Sequence, residues 1–191
     1  MKRVRLELGG NAPFIVFDDA DLDKATEAIL ASKFRLSGQT CVCANRVYVQ
    51  ASVYESLSAA LVKKIESFSL GPGADPNSIH GPLINKKAVM KVQTQVQDAL
   101  RLGGRVATGG RPATALGEAF FEATVLVNVS PESLCAREET FGPLLPLIEF
   151  QHQDDVVRLA NNTDVGLAGY FFTKDVARAW RVAEAMEVGM V

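Results

Sequence analysis

Cys41 stands in the stretch Phe34-Arg35-Leu36-Ser37-Gly38-Gln39-Thr40-Cys41-Val42-Cys43, a small, polar, glycine-containing turn between an amphipathic segment and a strand-like run. A thiol on such a loop, flanked by backbone N–H donors, can be deprotonated and attack a carbonyl carbon, whereas a structural cysteine sits among apolar neighbours and stays inert. This stretch alone leaves both readings open. Upstream, Glu7 lies in Leu6-Glu7-Leu8-Gly9-Gly10-Asn11-Ala12-Pro13, a strand-like segment running into a glycine pair. Paired glycines let a ligand or a second backbone come close, because no Cβ is in the way. The Glu7 carboxylate is either a general base held near that ligand or an exposed charge at a strand end. Arg35 either complements the C-terminus of the helix before it or grips a substrate carboxylate in a bidentate clamp. In Glu138-Glu139-Thr140-Phe141-Gly142-Pro143 an acidic pair and an aromatic share a compact turn. Either one carboxylate receives ribose hydroxyls while Phe141 packs against a ring, or the turn is solvated and Phe141 belongs to the core.

The glycine pair is no phosphate cradle, since neither a G-x-G-x-x-G nor a G-K-[ST] pattern occurs. Cys41 and Cys43 form a C-x-C pair, but zinc would need two further ligands. Cys135, His80 and His152 stand at unhelpful spacings, so no metal is expected. A Cys41–Cys43 bridge would consume the thiol, and its close spacing would leave it strained and readily reduced. No motif pairs either histidine with Cys41, which weighs against a cysteine hydrolase acting without cofactor. An odd count of three cysteines fits a reducing compartment better than a disulfide framework. A net charge of −2 gives no footprint for nucleic acid, and no apolar run approaches the length that spans a bilayer.

Strand and helix patterns alternate along the chain, and 48% hydrophobic residues supply ample core. Together they predict one α/β unit with a mainly parallel twisted sheet flanked by helices. Strands are expected at Val4–Leu8, Phe14–Phe17, Arg46–Gln50, Val106–Thr108, Leu144–Phe150 and Gly169–Thr173. Asp18-Asp19-Ala20-Asp21 offers caps for a helix over Leu22–Phe34. Val53, Leu57, Leu61 and Ile65 mark a second helix face, and Val89, Val92, Val96 and Leu100 a third that stops at Gly103-Gly104. A helix follows near Gln153–Ala160, and the one after Asp175 is expected to pack Val176, Ala179, Trp180 and Ala183 on one side. Met1 leads at once into strand-like sequence and the chain stops as another strand begins near Glu187, so both ends are expected to be cut from something longer.

Taken together and in order, Leu6-Glu7-Leu8-Gly9-Gly10, Gly38-Gln39-Thr40-Cys41 and Glu139-Thr140-Phe141-Gly142-Pro143 resemble the aldehyde dehydrogenase superfamily. Asn161 to Ala168 is similar to a fourth motif of that family, with Val165 where an aromatic is usual. The Phe34-Arg35 to Asn45 stretch resembles the succinate-semialdehyde dehydrogenase subgroup most. The resemblance covers the whole chain and implies a catalytic domain over 1–191, without the nucleotide-binding domain and the last oligomerisation segment. It implies Cys41 as nucleophile and Glu7 as general base. Glu139 and Phe141, with Leu8 and Gly9, would hold NAD or NADP, Arg35 the far carboxylate of a small aldehyde, and Cys43 a redox partner for Cys41. It further implies a homo-oligomer, tetramer or dimer, placed in the mitochondrial matrix of a eukaryote or the cytoplasm of a bacterium. The oxyanion asparagine and a second substrate arginine of the family would lie before Met1, and Asn11 belongs to a different motif. The piece alone is therefore expected to be nearly inactive, or to serve only as an assembly module.

Overall fold

The computed structural model describes residues 2–4, 6 and 8–191, so Glu7 lies outside the described residues. Six strands form one sheet: β1 (Ala12–Val16), β2 (Ala44–Gln50), β3 (Arg105–Thr108), β4 (Thr124–Val127), β5 (Leu144–Phe150) and β6 (Tyr170–Phe172). Their spatial order is β3-β4-β5-β2-β1-β6, parallel throughout except for the β3–β4 pair. The helices are α1 (Leu22–Phe34), α2 (Ala51–Ile65), α3 (Lys86–Arg101), α4 (Leu134–Arg137), α5 (Gln153–Asn161) and α6 (Val176–Ala185). A mainly parallel sheet flanked by helices is thus the fold that the alternating pattern implies.

Strand periodicity divides the core into two layers. Phe14, Val16, Val47, Val49, Val125 and Leu145 face α1 and α2, where Ile29, Leu57 and Leu61 meet them. Ile15, Phe17, Tyr48, Leu126 and Ile148 face α3, α5 and α6, whose Val92, Val96, Val156 and Val182 complete the second layer. The helix starts follow their caps: Asp21 accepts the Lys24 amide, Asn85 the Ala88 amide, and Asp175 those of Ala177 and Arg178.

Three expectations need correction. The described residues among Lys2–Leu8 carry no helix or strand. Nothing in the sheet pairs with Val4, Leu6 or Leu8, which are exposed. On α6 the side bearing Val176 and Trp180 faces outward, at 71% and 67% exposure, while Val182, and Met186 just past the helix, are buried. Asp175 caps the helix and Arg178 bonds Asp19 at 2.9 Å, and this fixes which side turns inward. β4 and the one-turn α4 carry no expectation from the sequence. Near Met190 a single bridge to Ala168 takes the place of a full strand.

Candidate active site

The segments that enter β1, β2 and β5 carry the three motifs, so the motifs gather at the amino ends of parallel strands. In open α/β sheets ligands usually sit at the opposite, carboxyl ends.

The cysteine turn begins where α1 runs out. Leu36, Ser37 and Gly38 take φ values of 49°, 59° and 75°, three successive left-handed residues that reverse the chain within one turn. Glycine accepts this conformation without strain, and Leu36 and Ser37 do not. Side chains hold the reversal in place. The Ser37 hydroxyl donates to the Gly81 carbonyl at 2.9 Å, and the Gln39 amide group receives the Ile84 N–H at 2.8 Å while donating to Pro82 O at 3.3 Å. A Cβ on Gly38 would collide with the Gly142 carbonyl, so this turn and the Glu139-Phe141 turn touch backbone to backbone. A Cβ on Gly10 would likewise collide with the Cys41 carbonyl.

This packing brings Leu8, Gly9, Gln39, Thr40, Cys41, Glu139 and Phe141 around one cleft of about 440 Å³. Glu139 Oε1 receives the Gly10 N–H at 3.0 Å. Its other oxygen faces Gly9, where a Cβ would stand 3.0 Å from Oε2. The Glu139 carbonyl is held from α3 by Lys91 Nζ at 2.6 Å. Phe141 has a φ of 52° and remains 38% exposed, so it belongs to the rim of the cleft and not to the core. No acceptor among the described residues takes the Cys41 amide N–H.

Beneath the cleft lies a buried polar framework that the sequence reading did not single out. Asn45 Nδ2 donates to Asn11 Oδ1 at 2.6 Å and to Glu138 O at 3.0 Å, with Cys135 O at 3.4 Å. Its Oδ1 receives the Thr140 N–H at 3.0 Å. Arg46 is buried without a carboxylate partner among the described residues. Its guanidinium instead donates to the carbonyls of Asn11, Leu159 and Ala160 at 2.7–3.0 Å, the last two at the C-terminal end of α5. Burial pulls its pKa down, but an arginine so surrounded by acceptors stays charged.

The other expected residues fall elsewhere. Arg35 is exposed at the end of α1 and does not line the Cys41 cleft. Cys43 is buried and donates to the Gly38 carbonyl at 3.3 Å, so its thiol turns away from the cleft, and all three cysteines are free. Cys135 is buried too, and burial pushes its thiol up to about 12. Lys33, on the last turn of α1, is 0% exposed and its ammonium has no hydrogen-bond partner among the described residues. Burial lowers its pKa, opposed by Cys43, Cys135 and Glu139. His80 is buried against Phe121 O at 3.1 Å in a separate cleft, so it cannot serve Cys41 as a base. Among the described residues no helix is long and apolar enough to cross a membrane, and no group of ligating side chains could hold a metal.

The model of the aldehyde dehydrogenase family matches residues 1–191. The chain is 53% identical over 191 residues to succinate-semialdehyde dehydrogenase [NADP(+)] 1 of Schizosaccharomyces pombe, covering 100% of this chain and 38% of the relative. It is 51% identical to glutarate-semialdehyde dehydrogenase of Pseudomonas aeruginosa, again over its whole length and 39% of the relative. The crystal structure of succinate-semialdehyde dehydrogenase from Burkholderia pseudomallei superposes with a TM-score of 0.95 at 52% identity, over 97% of this chain and 38% of that one. The chain therefore spans somewhat over a third of the length of these relatives.

Proposed function

Because the chain belongs to the aldehyde dehydrogenase family, we propose that residues 1–191 form the catalytic lobe of an NAD(P)-dependent dehydrogenase. Its substrate is an aldehyde carrying a distal carboxylate, succinate semialdehyde first, and its product the corresponding dicarboxylate. The observation that carries this reading is the meeting of Cys41, Glu139, Phe141 and Gly9 around one cleft, although these residues come from three distant segments. Relatives whose names specify succinate and glutarate semialdehydes support the substrate class, and NADP(+) in one of those names supports the cofactor.

The residues present fit a nicotinamide riboside. Glu139 keeps one carboxylate oxygen free of the Gly10 bond, as a ribose diol requires, and the missing Cβ of Gly9 leaves that oxygen uncovered. Phe141 offers a half-exposed aromatic face beside it. When bound, the nicotinamide supplies the hydride acceptor.

The chain's own chemistry starts with the Cys41 thiolate adding to the aldehyde carbon, giving a tetrahedral thiohemiacetal whose oxyanion the uncommitted Cys41 N–H can stabilise. Loss of hydride leaves a thioester on Cys41. Glu7 is assigned from its motif as the base that activates water for hydrolysis, and Leu8, the next residue, lines the Cys41 cleft. Cys43 shares the turn but not the cleft, which suits a reserve thiol that pairs with Cys41 under oxidation.

The test is absorbance growth at the reduced-nicotinamide band when the intact protein meets succinate semialdehyde with NAD+ or NADP+. Turnover that vanishes in Cys41→Ala supports the proposal, and turnover that survives that change removes it.

A further inference from the structure

Asn45 is 1% exposed and has no place in the chemistry described above, yet its amide group holds all three motif segments at once. It sits on the first turn-to-strand residues of β2, close after Cys41 in the chain. Its Nδ2 reaches Asn11, just past the glycine pair, at 2.6 Å. The same nitrogen donates to Glu138 O at 3.0 Å, and Oδ1 receives the Thr140 N–H at 3.0 Å. Those last two groups are the peptide units on either side of Glu139. One side chain thus pins both flanks of that carboxylate residue while its own backbone is continuous with the nucleophile turn.

The residue type follows from the contacts. Two donors and an acceptor on one short planar group are needed, and only asparagine supplies them at this length. Aspartate would set one oxygen against both the Glu138 and Asn11 acceptors. The amide orientation is fixed by the network, since the Thr140 N–H can only meet an oxygen, and Asn11 spends its own Nδ2 on Ala136 O at 3.3 Å.

We infer that Asn45 is a positioning residue that sets the Glu139 carboxylate against Gly10 and the Cys41 turn, and so governs capture of the nicotinamide ribose without touching it. The inference rests on the dehydrogenase reading given above. A residue that only stabilised the fold would affect every property of the site together, whereas a clamp on Glu139 separates cofactor capture from thiol reactivity.

The experiment uses the intact protein and its Asn45→Ala, Asn45→Ser and Asn11→Ala variants. Calorimetry measures NADP+ and NAD+ affinity, iodoacetamide measures the Cys41 alkylation rate, and hydrogen exchange follows the Gly10 and Thr140 amides. Asn45→Ala is expected to weaken cofactor binding about tenfold, equivalent to roughly 1.4 kcal/mol. The Gly10 and Thr140 amides should exchange faster, and alkylation should stay within about twofold of wild type. Asn45→Ser, which keeps one polar contact, should move the same way by less. Asn11→Ala breaks the tie to the glycine segment but leaves both flanks of Glu139 held, so it should weaken affinity less than Asn45→Ala and leave Thr140 exchange at the wild-type rate.

Wild-type exchange and affinity in both Asn45 variants would overturn the inference. So would losses of affinity, alkylation and folded fraction that move in step. If the wild-type protein binds neither nucleotide, the dehydrogenase reading fails on that result alone. The exchange at Gly10 and Thr140 still decides whether Asn45 holds Glu139.

Discussion

The Gly10 amide donates to Glu139 Oε1 at 3.0 Å across 129 residues of chain, and the same glycine lies flat against the Cys41 carbonyl. Gly9 and Gly10 therefore meet different obstacles. A methyl on Gly10 strikes rigid backbone, while one on Gly9 meets only a carboxylate that can turn aside. Gly10→Ala should destabilise by about 1–3 kcal/mol, and Gly9→Ala by less than about 1 kcal/mol. Urea midpoints of the two variants check the order, and equal midpoints would contradict the close packing.

Leu36 holds a φ of 49° with its side chain 67% exposed, so it bears left-handed strain with little burial in return. Asparagine or glycine adopts that backbone at lower cost. Leu36→Asn should stabilise by roughly 0.5–1 kcal/mol, read as a higher denaturant midpoint with an unchanged slope.

Lys33 makes stability depend on pH. Burial holds its pKa below the ordinary lysine range, so between the two values the unfolded chain binds more protons than the folded one. Stability contributed through Lys33 thus rises with pH across that window, and the burial penalty is fully present below it. Lys33→Met should be more stable than wild type at pH 7 by about 1–3 kcal/mol. The gap should close as the pH approaches about 10. Unfolding curves at several pH values test this, and a gap that does not change with pH would rule it out.

Arg35 stands free at the end of α1, outside the wall of the Cys41 cleft. If it grips the far carboxylate of the substrate, Arg35→Ala should raise the KM for succinate semialdehyde by the equivalent of about 1.5–3 kcal/mol. An uncharged aldehyde of similar length should change little. Equal effects on both would remove the clamp and leave the family assignment untouched.

Cys43 is tied to the Gly38 carbonyl and must turn to reach Cys41. Peroxide would oxidise Cys41 to the sulfenic acid, which Cys43 resolves to a disulfide with loss of water. Intact-mass measurement should show the loss of two hydrogens in wild type and none in Cys43→Ala. An unchanged wild-type mass would end the idea of an oxidative brake.

Much of this architecture is legible in the chain. α2 and α3 follow from leucine and valine recurring along one face, β1 and β5 from short apolar runs, and β2 from alternation over Arg46–Gln50. α6 misled because Val176 and Trp180 recur at helical spacing and yet face outward. Periodicity reports that an apolar side exists, and the Asp19–Arg178 tie decides which side is buried. β4 gives a weaker signal, because Glu122, Thr124 and Asn128 interrupt the apolar residues of Phe120–Val129, and β3 pairs with it antiparallel at the edge of the sheet. At the candidate site, Cys41 and Glu139 stand out in the sequence by residue type and motif. Asn45, Arg46 and Lys33 do not, because an asparagine in a strand or a lysine on a helix looks ordinary until its burial and partners are known.

Because the motifs occupy the amino ends of the strands, each helix that leads into them arrives carbonyl-first. α1 delivers its negative pole to the Cys41 turn, the reverse of the arrangement by which nucleotide folds and many thiol enzymes favour anions. If an aldehyde adds to Cys41 as proposed, the negative charge on its oxygen gains no help from the polarity of α1. It depends on single, individually placed donors, and the loss of one of them is felt in full.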